Sequence, residues 1–102
     1  MIRKKEMEEI KEFCQNNNLI HIHEFLSVND MEEDMSIHRV SLKRGGQEIM
    51  VFEKRTMYDF EQDTMGVIWV IIEDEDPTKY IDSLYSTLKY IEKVINNVDK
   101  EN

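Results

Sequence analysis

The chain has 102 residues, 40% of them hydrophobic and 34% charged, and 22 Asp+Glu against 13 Lys+Arg leave a formal net charge of −9. This length supports one hydrophobic core but not two, and the apolar fraction excludes a disordered chain. A single Cys excludes an intramolecular disulfide scaffold, and the charge balance argues against nucleic acid or an anionic membrane as the principal partner.

Taken in chain order, Arg3, Lys4 and Lys5 near the N-terminus precede no apolar stretch, so the segment does not read as a secretory signal. Residues 2–15 predict a helix, because Ile2, Met7, Ile10, Phe13 and Cys14 share one side of a 3.6-residue period. Asn16, Asn17 and Asn18 predict its stop, since Asn tolerates the left-handed conformation that ends helices. Residues 19–28 read as a strand, 29–34 as an acidic connection, and 35–43 and 47–54 as two further strands. Between the last two, Gly45-Gly46 supplies the positive φ values of a tight hairpin turn.

Residues 56–65 fit either a loop or a short helix. After Gly66, residues 67–72 are continuously apolar and include Trp69, the pattern of a strand covered on both faces and therefore central in its sheet. Asp76 then suits a helix N-cap and Pro77 the first helical position. Ile81, Leu84, Leu88, Ile91, Ile95 and Val98 extend this into a long C-terminal helix flanked by Tyr80, Tyr85 and Tyr90. The expected fold is α+β over one domain, residues 1–102: an antiparallel sheet of about four strands, with an N-terminal and a long C-terminal helix packed on one face. The other face is then polar, covered by residues 56–65, or buried in a partner.

The charge is unevenly placed. Both predicted helices balance their signs. Residues 21–38 hold Glu24, Asp30, Glu32, Glu33 and Asp34 without Lys or Arg, and residues 56–76 hold Asp59, Glu61, Asp63, Glu73, Asp74, Glu75 and Asp76, again without a basic residue. The hairpin around Gly45 is locally basic, with Arg39, Lys43, Arg44, Lys54 and Arg55 against Glu48 and Glu53. If the acidic connections meet at one end of a sheet they form a focused negative field that steers a basic partner. The competing reading is solvated loops, with residues 73–76 favouring the start of a helix.

Candidate chemistry is sparse. His21 and His23 fall on one face of a strand, and His38 lies on the next, a set compatible with zinc. A short His-x-His motif is more often structural, and the alternation with Ile20 and Ile22 is also that of a strand turning its His residues to solvent. Asp59, Glu61 and Asp63 alternate, but no calcium-loop pattern accompanies them. Cys14 sits on the apolar side of its helix as a small core hydrophobe. Three glycines exclude glycine-rich phosphate loops, and no nucleophile-elbow, metalloprotease or redox-thiol motif occurs.

The expectation is therefore a cytoplasmic non-enzyme without a cofactor: a small acidic inhibitor that neutralises a basic toxin or nuclease through Asp30, Glu32, Glu33, Asp34, Asp59, Glu61, Asp63, Glu73, Asp74 and Glu75. In size, acidity and compactness the chain is similar to bacterial immunity proteins and phage anti-defence proteins, with no motif shared. The alternative is an acidic dimeric adaptor or chaperone-like module, and a His-based metal protein ranks third. The partner would be a basic protein rather than nucleic acid or membrane, and the chain a monomer or homodimer.

Overall fold

A computed structural model describes residues 2–29 and 33–101. The elements are α1 (Lys4–Asn16), β1 (Ile20–Asn29), β2 (Glu33–Arg44), β3 (Gln47–Asp59), β4 (Thr64–Glu73), β5 (Asp76–Ile81) and α2 (Leu84–Glu101). The strands form one antiparallel meander in the order β1-β2-β3-β4-β5, and both helices pack on the same face. The α+β expectation holds, but the sheet has five strands where the sequence suggested about four.

The extra strand is the segment read as a helix start. Glu73 pairs with Asp76 across a two-residue turn in which Asp74 has φ 52° and Glu75 φ 70°. Two left-handed residues in succession are the geometry of a type I′ hairpin, but Asp-Glu lacks the glycine that normally advertises it. Pro77 is tolerated because β5 is an edge strand. The helix starts later, where Ser83 takes the capping role assigned to Asp76: its Oγ accepts the Ser86 N–H at 3.1 Å. Ile81 and Tyr80 consequently lie on β5, and Leu84, Leu88, Ile91 and Ile95 carry the α2 stripe to the core, with Tyr90 and Val94 packed beside them.

Residues 56–65 form no helix, and only four of them form a turn. They are the end of β3, a turn over 60–63 and the start of β4. They extend the sheet and leave its second face bare. The other local expectations match: Gly45 and Gly46 turn between β2 and β3 with φ 59° and 82°, and α1 ends at Asn16 with Asn18 left-handed at φ 55°.

The core lies between helices and sheet. Ile10, Phe13 and Cys14 of α1 and Leu84, Ile91 and Ile95 of α2 pack on Val40, Leu42, Phe52, Trp69 and Ile71. Full burial of each large apolar side chain contributes about 1.5–3 kcal/mol. Lys54, almost fully buried on β3, donates to Glu6 Oε1 at 2.6 Å and lies 5.5 Å from the Trp69 ring. At the other end of α1, Arg44 donates to the Asn17 carbonyl at 2.7 Å. These contacts fix α1 over one half of the sheet, from the cross-strand row Phe25–His38–Lys54–Trp69–Ile81 to the Gly45-Gly46 turn. At about 1.5 Å per residue the 13 residues of α1 cover roughly 20 Å, whereas the molecule is 50 Å long. Among the described residues, the other half of the sheet carries no helix on either face.

Candidate docking site at the uncovered end of the sheet

The meander decides which acidic segments meet. Glu33 pairs with Asp59, and Asp59 with Thr64, so the β1–β2 and β3–β4 connections share the uncovered end. Residues 73–76 turn at the opposite end, beside Gly45 and Gly46. The ten steps from Asp34 to Arg44 along β2 separate the two ends by roughly 33 Å. Of the predicted site residues, Glu33 (by its backbone), Asp34, Asp59, Glu61 and Asp63 are together, and Glu73, Asp74 and Glu75 are apart from them. Asp30 and Glu32 lie outside the described residues.

The uncovered end is built by its carboxylates. Asp59 Oδ1 accepts the Glu61 and Gln62 backbone N–H groups at 2.9 and 3.3 Å, holding the turn as an Asx motif. The Tyr58 hydroxyl donates to Asp63, which raises the tyrosine pKa above its ordinary value. The Tyr58 and Phe60 rings stack edge to face at 5.0 Å. Around these groups the apolar surface is open: Met65 is 68% exposed and Phe60 51%, and Met57 and Val67 are also exposed. No Lys or Arg occurs in residues 56–65 or 33–38. The arrangement is an aromatic and methionine surface rimmed by negative charge, the composition of an interface centre with a steering rim. Sequence reading missed the apolar half of it. The available signal was the set of Met57, Tyr58, Phe60 and Met65 interleaved with acids in a segment with no clear period.

The other end is internally compensated. Glu75 Oε2 lies 3.8 Å from Arg39 Nη1, and Lys43 and Arg44 sit by the neighbouring turn. On the bare face, Glu53 is 1% exposed although no element among the described residues covers it. Arg39 grips its Oε2 through Nε and Nη2, each at 2.7 Å, and Arg55 grips Oε1 through the same atoms at 2.9 Å. Val51, Val70 and Ile72 bury against one another beside it, with Ile68 packed on them.

The three histidines sit on the helix-bearing face, with Ile20 and Ile22 on the bare one, the reverse of His residues turned to solvent away from a core of Ile. The inversion follows from Leu19, which enters the core from α1 and sets the parity of β1. His21 Nδ1 lies 2.7 Å from His23 Nε2, and His23 Nδ1 lies 2.9 Å from His38 Nε2. His23 thus uses its two nitrogens on two different neighbours. His38 pairs with Phe25, four positions along from His21, which places the outer two at the ends of a row rather than around a point. Among the described residues no group of three or more His, Cys, Asp or Glu is arranged to hold a metal ion. Burial, with the adjoining His21 and His38, pushes the His23 pKa down to about 4. Burial also lowers His38, aided by Lys54, and raises the Cys14 thiol to about 11.

No helix among the described residues is long and apolar enough to cross a membrane. No family model, no curated protein and no solved structure matches the chain.

Proposed function

We propose that this chain is a small protein-binding module that docks a basic partner through the uncovered end of its sheet, in the manner of an inhibitor that neutralises a basic toxin or nuclease. The observation that supports it is the coincidence of Tyr58, Phe60, Met65 and Val67 with the carboxylates of Asp34, Asp59, Glu61 and Asp63 at one end of the molecule. The apolar groups supply the buried centre of an interface and the carboxylates its orientation and association rate. The acids of residues 73–76 do not contribute, because they lie at the other end.

The test is affinity capture from the native host's lysate with the wild-type chain and two variants. Phe60→Ser with Glu61→Gln should lose a basic protein that the wild type retains, and that capture should weaken steeply as salt rises. Glu73→Gln with Asp74→Asn should capture normally. Equal capture by both variants would remove the proposal.

A further inference from the structure

We propose that the outer edge of β1 pairs antiparallel with the same edge of a second copy of this chain, joining two five-stranded sheets into one sheet of ten. The two edges of the sheet are built differently. β5 is six residues long and carries Asp76, Pro77 and Lys79, three devices that block strand addition: short length, a missing N–H and exposed charge. β1 is ten residues long and contains no Pro, Lys or Arg. It exposes large apolar groups on both faces, with Ile20 at 65% and Ile22 at 49% on the bare face and Phe25 at 57% on the other. An edge of this kind left open is an aggregation site, and the protection of the opposite edge indicates that this one is used.

Charge selects the occupant. The only formal charge on β1 is Glu24, and it stands directly across from Arg39 of β2. This margin therefore offers nothing to a strongly basic partner, unlike the acidic end, and it is a place where a chain of net charge −9 can meet itself without setting acid against acid. A register centred on His23 keeps the two Glu24 side chains off each other. It places Ile20 opposite the second copy's Leu26, Ile22 opposite its Glu24 and His21 opposite its Phe25. Because the pairing is isologous and the β5 edges are blocked, assembly closes at two copies.

Sedimentation equilibrium of the untagged full chain tests this. The wild type should sediment at twice its 12.3 kDa chain mass at concentrations well above about 1 μM. Ile22→Lys, at an exposed position, should raise the dissociation constant at least tenfold while far-UV circular dichroism and the melting temperature of the monomer stay unchanged. Val67→Lys, at the other end of the sheet, should leave the dimer intact. Amide exchange of residues 20–27 should slow as concentration rises. A wild-type monomer, a dimer that survives Ile22→Lys, or an open series of larger species each overturns the proposal, and none of them bears on capture by the acidic end.

Discussion

Replacing Glu53 with Gln perturbs the centre of the bare sheet face while preserving side-chain volume. The wild-type carboxylate receives four charge-assisted contacts of 2.7–2.9 Å from two guanidinium groups and is itself 1% exposed. Breaking a fully buried ion pair by removing one partner costs about 3–5 kcal/mol. Here Arg39 and Arg55 are 25% and 23% exposed, so water relieves part of the stranded charge, and the expected loss is about 2–3 kcal/mol. For a chain of this size that lowers the melting temperature by about 10–20 °C. Arg39→Ala should cost less, because Arg55 continues to hold Glu53. Urea and thermal unfolding followed by circular dichroism provide both values. A Glu53→Gln variant within about 0.5 kcal/mol of wild type, the range of an ordinary surface substitution, would refute the view that this triad holds the face together.

Two further predictions concern the histidine row and the β4–β5 turn. The folded-state pKa of His23 is lowered to about 4 from the ordinary histidine value of about 6.5. Between these values the unfolded chain binds more protons, so stability is lost as pH falls from 6.5 towards 4. Discounted for the partial exposure of the ring, the effect is about 1–2 kcal/mol. His23→Gln should flatten the pH dependence of urea unfolding in that window, and an unchanged slope would dismiss the row as its cause. At the turn, Asp74→Asn with Glu75→Gly replaces two left-handed residues by the pair that favours a type I′ hairpin, and should stabilise the fold by about 1 kcal/mol. A melting temperature that does not rise would count against strain there.

Much of the architecture was legible locally. The 3.6-residue spacing of Ile10, Phe13 and Cys14, the Asn triplet after them and Gly45-Gly46 between two strands each name a structure that short-range sterics enforces. Trp69 and Cys14 were placed in the core by the company they keep in the sequence. The fifth strand was not legible, because Asp76-Pro77 is as good a helix start as a strand start, and only pairing with β4 decides between them. The face occupied by the histidines was not legible either, since a period of two gives two faces without saying which is inward.

The sequence by itself determined that the protein is acidic, that its charge is gathered into connections and that helices bracket a sheet. These are properties of composition and of contacts within a few residues. Only the tertiary structure decided that residues 33–34 and 59–63 meet while 73–76 stands at the far end. Strand direction alternates along a meander, so which turns are neighbours depends on the number of strands between them. Tertiary structure also decided that Phe25, Met65 and Val67, on the helix-bearing face, stay uncovered. The helices lie over one half of the sheet, α1 held there by Lys54–Glu6 and Arg44–Asn17, contacts between residues 48 and 27 positions apart in the chain.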